Sequence, residues 1–378
     1  MAILKIGIVG AGIMGLTAAW ALAKRGHAVS VFEQYAIPNP LGSSVDQHRL
    51  IRYPYGSDIG YTRMIDAAFG AWDRLWADLG DAAQTRRLYA ETGTIGIDAD
   101  GADWAQRSAA AMREAGIAFE TLDGAALARR FPHLRPEGIH TALYEPRGGA
   151  LFAGRIVERL AHHLGTHGVE LHAKSRIADV DAERARIRLA DSAVHAFDRV
   201  IVAAGPWVTR LVPGLAARIT PSRQIVVYLD APPAEAAAWA TAPMLIEMER
   251  DYAFYCVPPR AGLGLKFGDH RFTLAGDPDR EREAQRAEAE ELLAKSKHRF
   301  RNGEHYRIVE AKTCFYDVEP KERFVLEPLG AAGYVMSGFS GHGFKFGALM
   351  GELAASAVLG DKPADAIRRY AAGEAAAL

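Results

Sequence analysis

Three glycines and one acidic residue near the start of the sequence have the types and spacing that bind a dinucleotide. Gly10, Gly12 and Gly15 form a G-x-G-x-x-G motif, and Glu33 lies 18 residues after the last of them. In such a motif the first glycine permits a tight turn, the second admits a pyrophosphate close to the backbone, and the third lets a helix pack against a strand. The carboxylate is then spaced to accept hydrogen bonds from ribose hydroxyls. The motif alone does not distinguish NAD from FAD.

The pattern around these glycines predicts the elements that would hold the phosphates. Residues 3–9 are short and rich in branched apolar side chains, as a buried strand should be, and residues 13–24 follow a helical pattern. A pyrophosphate would lie at the N-terminus of this helix, where free N–H groups and the helix dipole favour anions. A second strand over 28–32 ends just before Glu33. The uncharged run through this region is as long as a membrane span, but its glycines and its switch from strand to helix argue against one.

The stretch that follows Glu33 favours FAD over NAD. A simple NAD domain would continue with alternating strands and helices, whereas residues 35–60 form a long irregular segment with three prolines. Long loops without regular structure tend to be functional. This one contains Arg49 and Arg52, which would face one cavity if the chain turns helically there. The alternative is that both are surface arginines.

The composition excludes several function classes. The 378 residues carry 45 Lys and Arg against 46 Asp and Glu, so the formal net charge is −1. This balance argues against nucleic acid or an anionic membrane as the main partner. Two cysteines, Cys256 and Cys314, cannot form a disulfide framework or a cysteine-rich zinc site, and they fit a reducing, cytoplasmic location. No metal site is predicted.

The rest of the chain predicts an α/β protein with a Rossmann-like FAD-binding domain and a second, α+β domain on a mainly antiparallel sheet. A strand over 199–204 ends at Gly205 and Trp207, at the sheet edge where ligands bind in α/β folds. Short strand-like runs separated by turn signals predict the second sheet: 225–229, 244–248, 253–257 and 264–268. The other predicted elements are helices over 69–79, 103–115, 124–130, 156–164, 277–298 and 344–358, and a strand over 333–337.

Five motifs in one order are shared with a known group of flavoenzymes. They are the glycine motif at 10–15, R-L-I-R-Y-P-Y-G at 49–56, G-L-K-F-G-D-H at 264–270, K-T-C-F-Y at 312–316 and G-F-S-G-H-G-F-K-F at 338–346. Over about residues 4–360 the chain therefore resembles the flavin-dependent amine oxidases of the D-amino-acid-oxidase superfamily. Within that superfamily it resembles the monomeric sarcosine oxidase and N-methyltryptophan oxidase group.

The resemblance implies a monomeric, two-domain oxidase of small amines. Its substrate would be a secondary amine, an N-methyl or cyclic amino acid, whose C–N bond is oxidised to an imine that hydrolyses while O2 is reduced to H2O2. Two alternatives stay open: a dehydrogenase or primary amino-acid oxidase on the same scaffold, and a non-catalytic nucleotide-binding protein. The implied FAD-binding domain comprises residues 1–85, 148–216 and 322–378, and the substrate domain comprises 86–147 and 217–321.

The resemblance also implies roles for individual residues. FAD would be held covalently, with the Cys314 thiol joined to the 8α carbon of the isoalloxazine ring. Arg52 and Lys345 would clamp the substrate carboxylate, a task that suits a guanidinium fork and an ammonium point charge. Lys266 would assist the reduction of O2 with its positive charge, and Arg49 would add to the positive field.

Further positions complete the implied site. His270 and Tyr316 match active-site residues that orient the substrate, and Tyr55 and Tyr255 match substrate contacts. The implied FAD contacts are Gly10, Gly12, Met14, Gly15, Glu33, Gln34, Ser43, Arg49, Gly205, Trp207, Cys314, Gly341, Gly343, Phe344 and Lys345.

The segment before Arg49 departs from the pattern of the group. Val45 stands where sarcosine oxidases have a histidine beside the flavin, and His48 replaces a threonine. Ser57 replaces an acidic residue near the substrate entrance. These changes leave the implied FAD contacts and carboxylate clamp in place. They leave room for a secondary amine that is bulkier than sarcosine or differently charged.

Overall fold

In the part of the chain that the structure describes, the strands form four sheets, of six, eight, three and three strands. The computed structural model describes residues 2–99, 101–248 and 253–378. The strands in these ranges are β1 Lys5–Val9, β2 Ala28–Phe32, β3 Arg49–Ile51, β4 Tyr89–Glu91, β5 Thr94–Ala99, β6 Glu120–Leu122, β7 Ile139–Glu145, β8 Gly149–Leu151, β9 Glu170–His172, β10 Ile177–Asp181, β11 Arg186–Leu189, β12 Val194–Ala196, β13 Arg199–Val202, β14 Thr220–Asp230, β15 Met244–Glu247, β16 Phe254–Val257, β17 Leu265–Asp269, β18 Arg307–Val318, β19 Val325–Leu329 and β20 Gly333–Ser337.

Helices connect the strands and cover the sheets. The α-helices are α1 Ile13–Ala23, α2 Ile59–Leu79, α3 Ala82–Thr85, α4 Trp104–Glu114, α5 Gly124–Arg130, α6 Ala153–Thr166, α7 Val208–Leu211, α8 Ala236–Thr241, α9 Arg286–Arg299, α10 Gly347–Leu359 and α11 Ala364–Ala371. Short 3-10 helices lie at Gly205–Trp207, Pro213–Leu215, Pro233–Glu235, Gly303–His305 and Phe344–Phe346.

The six-stranded sheet has the order β19-β20-β13-β1-β2-β9, and every pair except β19–β20 is parallel. β1 lies in its interior because its apolar residues Ile6 and Ile8 are fully buried, as the strands of a parallel sheet covered on both faces should be. The predicted succession of strand, glycine turn, helix and strand is confirmed, with β1 beginning at Lys5 and α1 at Ile13. This sheet is the Rossmann-like unit that the sequence predicts.

The eight-stranded sheet has the order β18-β14-β17-β16-β15-β5-β7-β6 and is antiparallel at every pair except β15–β5. The four strand-like runs of the sequence are neighbours in it, as β14, β17, β16 and β15. β14 is longer than predicted because it pairs with β18 over its whole length. Each large sheet draws its strands from the ranges predicted for one domain, and the domain boundaries themselves stay a prediction.

Close packing of α1 against α10 brings distant parts of the chain together. Gly351 on α10 lies against α1, where a side chain would come within 2.4 Å of the Thr17 backbone. The Thr17 hydroxyl donates to the Gly347 carbonyl at 2.8 Å. Nearby, Trp72 on α2 donates its indole N–H to the Lys345 carbonyl at 2.6 Å. These contacts fix the backbone just before α10, from which Lys345 projects.

The predicted helix over 277–298 is too long, since α9 begins only at Arg286. Residues 277–285 have no helical structure because their side chains have partners elsewhere: Asp277 pairs with Arg210 at 2.7 Å. Gln285 then caps α9 in a capping box with Glu288. The charge pattern of this region therefore reflects ion pairs to another element as well as a solvated helix face.

The helical turn considered as a way to bring Arg49 and Arg52 to one cavity does not form. Arg49–Ile51 is a strand, β3, which pairs antiparallel with β8. Two other predicted helices differ at their starts. Residues 69–79 are the second half of α2, and residues 344–346 form a 3-10 turn before α10. Within the described ranges, no helix combines the length and apolar character needed to cross a membrane.

Candidate active site

A cavity lies at the carboxyl ends of β1, β2, β13 and β20, the edge at which open α/β sheets bind ligands. We call it the nucleotide cavity. The chain turns sharply into it at Gly10, which has φ +106°. A side chain there would lie 2.3 Å from the Ala203 carbonyl oxygen. Only glycine fits this turn, which is the role that the motif predicts for its first glycine.

The N-terminus of α1 opens onto the nucleotide cavity through Gly12 and Ile13. The Ser44 hydroxyl, 2.9 Å away, accepts the hydrogen bond of the Ile13 N–H. Gly15 does not line the cavity. It packs instead against β1, where a side chain would come within 1.9 Å of the Gly10 carbonyl oxygen. The arrangement leaves helix N–H groups beside a side-chain-free surface, which suits a pyrophosphate.

Glu33, directly after β2, lines the same cavity with a buried carboxylate. Its Oε2 accepts from the Ala11 N–H at 3.0 Å, and its Oε1 accepts from Asn39 Nδ2 at 2.9 Å. Burial raises the pKa of Glu33, and these hydrogen bonds oppose that rise. The Tyr35 N–H also donates to Oε1, at 3.2 Å, so Oε2 is the oxygen that can still accept a hydrogen bond from a ribose hydroxyl.

Most of the FAD contacts implied by the sequence line the nucleotide cavity, whereas Gly15, Cys314 and Lys345 do not. Those that line it are Gly10, Gly12, Met14, Glu33, Gln34, Ser43, Arg49, Gly205, Trp207, Gly341, Gly343 and Phe344.

A second cavity adjoins the first, because Arg49, Tyr316, Gly341 and Phe344 line both. Gly341, at φ +79°, lets the Tyr316 ring approach so closely that a side chain would lie 2.3 Å from it. The remaining wall has four apolar and five polar side chains. Its residues are Leu50, Arg52, Ile246, Met248, Phe254, Tyr255, His270, His342 and Lys345.

Arg52 and Lys345 bring two positive charges to the second cavity. Arg52 Nη1 is buried and has no hydrogen-bond partner, while its guanidinium lies 4.4 Å from the centre of the Tyr55 ring. Lys345 Nζ donates to the Tyr55 hydroxyl at 2.9 Å. Burial lowers the pKa of both groups, and the charge of Arg52 lowers that of Lys345 further. Among the described residues, neither cation has a carboxylate at ion-pair distance.

Lys266 lies outside both cavities, in a buried ion cluster with Asp46 and Arg49. The Asp46 carboxylate accepts hydrogen bonds from the Lys266 ammonium, from Arg49 Nη1 and from the Tyr228 hydroxyl. Although burial opposes it, the two cations hold the pKa of Asp46 well below its usual range. Burial and the neighbouring Arg49 lower the pKa of Lys266 to about 8, against the opposing effect of Asp46.

The other polar residues implied for catalysis gather at the second cavity. His270 lines it and lies 3.6 Å from a carboxylate oxygen of Glu322. Tyr255 and Tyr316 also line it, and burial raises the pKa of both phenols. They are therefore neutral hydrogen-bonding groups at physiological pH rather than bases. Tyr55 does not line the cavity itself but contacts three residues that do, Arg52, His342 and Lys345.

Cys314 lies on β18, two residues before Tyr316, so the two side chains share one face of the strand. Its thiol is free and partly exposed, but it lines neither cavity. Cys256, by contrast, is fully buried, and burial raises the pKa of its thiol well above the usual value. Of the two cysteines, only Cys314 is therefore accessible for chemistry.

Three residues of the site escape the sequence prediction. Asp46 lies in the segment that departs from the family pattern, and that departure is the sign in the sequence that position 46 is unusual. His342 lies inside a recognised motif, with Nδ1 3.3 Å from the Tyr55 hydroxyl. Asp317 directly follows Tyr316, lines the nucleotide cavity and accepts from the Ser337 hydroxyl at 2.9 Å. Burial raises the pKa of Asp317 to about 6.

Metal chemistry has no assembled ligand set in the parts of the chain that the structure describes. Within those ranges, no three His, Cys, Asp or Glu side chains group closely enough to hold an ion.

Comparison with known proteins decides the family. Residues 5–357 match the FAD dependent oxidoreductase family, abbreviated DAO. The chain belongs to this family. It is an enzyme of the FAD-dependent oxidoreductase class, and the resemblance seen in its motifs is confirmed.

Two groups of relatives cover nearly the whole chain. The monomeric sarcosine oxidase of Bacillus sp. (strain NS-129) is 27% identical over 355 residues, which are 91% of this chain and 90% of that protein. The N-methyl-L-tryptophan oxidase of Yersinia pestis (strain Pestoides F) is 25% identical over 356 residues, 92% of this chain and 93% of that protein.

Solved structures share the fold. L-proline dehydrogenase from P. horikoshii superposes with a TM-score of 0.81 at 18% identity, covering 97% of this chain and 96% of its own. NikD, an amino acid oxidase of nikkomycin biosynthesis, superposes with a TM-score of 0.79 at 21% identity, covering 96% of each chain. Since these identities are low, they support the fold class alone.

The residues of the nucleotide cavity fit FAD, the cofactor of the family. The turn at Gly10 carries no side chain that would exclude a pyrophosphate, and the N-terminus of α1 lies beside it. Glu33 lies at the end of β2, where a ribose-binding acid belongs. Arg49 and Tyr316 line both cavities, so the second cavity begins where the nucleotide cavity ends. A reacting ring of FAD near these two residues would therefore lie beside the second cavity.

Proposed function

We propose that this enzyme is an oxidase of secondary amines that carry a carboxylate, namely N-methyl or cyclic amino acids. The C–N bond of the substrate is oxidised to an imine that hydrolyses, and O2 is reduced to H2O2. The observation that carries the proposal is a pair of cations at the second cavity, Arg52 and Lys345, neither of which forms an ion pair with a described residue, although the charge of Glu322 favours the charged form of both.

A small anion is the ligand that this cavity lacks. A buried guanidinium nitrogen without a partner costs free energy, which a carboxylate would recover through charge-assisted hydrogen bonds. The lowered pKa values of Arg52 and Lys345 express the same cost, because each charge is desolvated and Lys345 is also repelled by Arg52. A substrate carboxylate would relieve both effects.

The remaining wall supports an amine with an apolar substituent. Leu50, Ile246, Met248 and Phe254 offer an apolar surface at the same cavity. The amine must be neutral to react, and the nearby cations favour its neutral form by disfavouring an ammonium. Tyr316 and His270 offer hydrogen-bonding groups that orient the amine while Arg52 holds the other end.

When bound, FAD supplies the two-electron chemistry that takes a hydride equivalent from the carbon next to the nitrogen. The chain's contribution is to hold the substrate carboxylate, orient the C–N bond and limit water at an apolar wall. Lys266 and Arg49 contribute positive charge for the reduction of O2, the electrostatic task that a preorganised cation performs best.

We further propose a covalent thioether between Cys314 and the 8α carbon of FAD. The free, partly exposed thiol on the same strand face as Tyr316 supports it. Acid-precipitated enzyme should remain yellow, and Cys314→Ala should release the colour into the supernatant. Cys256→Ala is the matched control, and it should keep the colour in the pellet. A colourless wild-type pellet would refute the covalent bond.

The names of the relatives support the substrate class, since both sarcosine and N-methyltryptophan are N-methyl amino acids. The monomeric state and the reducing, cytoplasmic location that the sequence favours complete the proposal. Size-exclusion chromatography with light scattering should give the mass of one 41.0 kDa chain.

The test is an oxygen-uptake panel run on the purified holoenzyme. N-methyl and cyclic amino acids should consume O2 and release H2O2, whereas the corresponding amines without a carboxylate should react far more slowly. Faster turnover of primary amino acids would favour a primary amino-acid oxidase. Reduction of an artificial dye without oxygen uptake would identify a dehydrogenase instead.

A further inference from the structure

A carboxylate that no sequence motif assigns lies at the centre of the cationic cluster behind the two cavities. One carboxylate oxygen of Asp46 accepts hydrogen bonds from Lys266 and Arg49, and the other accepts one from the Tyr228 hydroxyl. The backbone N–H of Gln47 also donates to the same oxygen at 2.8 Å. The Asp46 carboxylate therefore accepts four hydrogen bonds, two at each oxygen, and these hold it in place.

The cluster is buried, so solvent screens its charges only weakly and they interact strongly. The side chains of Lys266, Asp46 and Arg49 are 2%, 7% and 14% exposed. In such surroundings a lone ammonium loses its proton readily, and a second cation beside it strengthens that tendency. The carboxylate between them is the main group that opposes the loss, and the Cys314 thiol opposes it to a smaller extent.

We propose that Asp46 is a positioning residue for the oxygen half-reaction: it holds the Lys266 ammonium beside Arg49 and keeps it charged at neutral pH. The proposal rests on the oxidase function proposed above. In that reaction O2 takes two electrons from reduced FAD together with two protons and leaves as H2O2. Asp46 neither touches O2 nor exchanges a proton in it, and it acts through Lys266.

Charge arithmetic gives the direction of the effect. With Asp46 present, two cations and one anion give the cluster a net charge of +1. Without Asp46, two adjacent buried cations would raise this to +2, and Lys266 is the partner able to release a proton because arginine stays charged. The ammonium would then be lost at neutral pH and return only under more acidic conditions.

The other groups around Lys266 do not replace Asp46. From the same loop, the buried His48 offers its backbone carbonyl 3.3 Å from Lys266 Nζ, and its imidazole stays neutral because burial lowers its pKa to about 4. The remaining titratable neighbours are the phenols of Tyr228 and Tyr255 and the Cys314 thiol, and Lys312 adds a further cation beside Tyr228. Asp46 is the only carboxylate that contacts Lys266 among the described residues.

The first experiment needs no amine substrate. Holoenzyme is reduced photochemically, mixed with O2 in a stopped-flow instrument, and followed by flavin absorbance from about pH 6 to about pH 9. Wild-type reoxidation should slow as the pH rises through about 8, where Lys266 loses its proton. In Asp46→Asn the same decline should occur at lower pH, with a rate about threefold or more below wild type at about pH 7.5 and a smaller gap at about pH 6.

The second experiment reads the lysine itself. Holoenzyme labelled with 13Cε-lysine is titrated by NMR, and the Lys266 signal is assigned by its loss in Lys266→Met. Asp46→Asn should move the titration midpoint to lower pH by about one pH unit or more. Asp46→Glu should keep it near the wild-type value because it retains the charge. Lys312→Met, which removes a nearby cation without touching Asp46, is the control and should change reoxidation by less than about twofold.

The outcomes separate the claims. An unchanged Lys266 midpoint in Asp46→Asn, or a rate loss that is equal at every pH, would overturn the role of Asp46. Wild-type reoxidation no faster than that of free reduced flavin would instead overturn the oxidase function, while the NMR titration still decides whether Asp46 keeps Lys266 charged. If Asp46→Asn does not fold, Asp46→Ser and Tyr228→Phe carry the same comparison. Tyr228→Phe weakens only one contact of the carboxylate and should give a smaller change in the same direction.

Discussion

Replacing Arg52 with methionine should show whether the two cations of the second cavity recognise a carboxylate. Methionine keeps much of the apolar stem of the arginine and removes its charge. A charge-assisted, bidentate pair between guanidinium and carboxylate contributes about 2–3 kcal/mol, so its loss should lower kcat/KM roughly 30- to 150-fold.

The structure favours the lower end of this range. Lys345 remains in Arg52→Met, and its pKa is depressed partly by Arg52. Removing that repulsion raises the pKa of Lys345, so the ammonium stays charged to higher pH and holds the carboxylate more strongly. We therefore expect a loss near 30-fold that comes mainly from weaker substrate binding. The double variant Arg52→Met/Lys345→Met should bind a carboxylate-bearing amine no better than the same amine without the carboxylate.

The assay is anaerobic flavin reduction in a stopped-flow instrument, which yields the substrate Kd and the limiting rate separately. Each variant is tested with an N-methyl amino acid and with the corresponding amine without a carboxylate. Arg286→Met removes an arginine whose side chain is 92% exposed, and as the matched control it should stay within about twofold of wild type. Equal losses for both substrates would refute the clamp, because a carboxylate-free amine has nothing for Arg52 to bind.

Three further predictions concern the structural framework. Ser44→Ala removes the acceptor of the Ile13 N–H and should cost about 1 kcal/mol, seen as a lower thermal midpoint, whereas Ser44→Thr should retain most of the stability. The buried Arg299 donates two hydrogen bonds of 2.8 Å to the Glu247 carboxylate, and Glu247→Gln removes this charged bidentate partner. The substitution should lower the free energy of unfolding in urea by about 3–5 kcal/mol, and a loss below about 1 kcal/mol would contradict this. Burial raises the pKa of Glu145 to about 7 from 4.5, so the folded state holds a proton that the unfolded state has lost, and this contribution to stability declines as the pH rises from about 4.5 through about 7. Glu145→Gln should therefore be stabilising relative to wild type at about pH 8 and neutral at about pH 4, and an equal effect at both would contradict the reasoning.

The parts of the fold that the sequence predicts well are those encoded by neighbouring residues. The switch from strand to helix at Gly10–Gly15 needs only local periodicity and glycine spacing, and β1 and α1 appear where expected. The segment 277–285 fails for the opposite reason. The Asp277 carboxylate in this segment pairs with Arg210, 67 residues away, and no local pattern indicates that partner.

The same distinction applies to the candidate site. Arg52 and Lys345 are found through motifs, and they lie at one cavity as the resemblance implies, although the turn considered between Arg49 and Arg52 is a strand. Asp46 is different, because its importance depends on Lys266, 220 residues away. A family pattern shows only that position 46 is unusual. Only the folded structure, which brings Asp46 next to Lys266, shows which charge Asp46 neutralises.

The contact between α1 and α10 has a consequence for how the protein is made. Thr17 and Gly347 are 330 residues apart, and the nucleotide cavity is walled by Gly10 from one side and Phe344 from the other. During translation, the surface of α1 that packs on α10 therefore stays uncovered until residues 347–359 have been made. The nucleotide cavity is complete only when Phe344, just before α10, has folded into its wall. A chain cut short before α10 would lack the surface that covers α1, and its exposed apolar helix would be prone to aggregation.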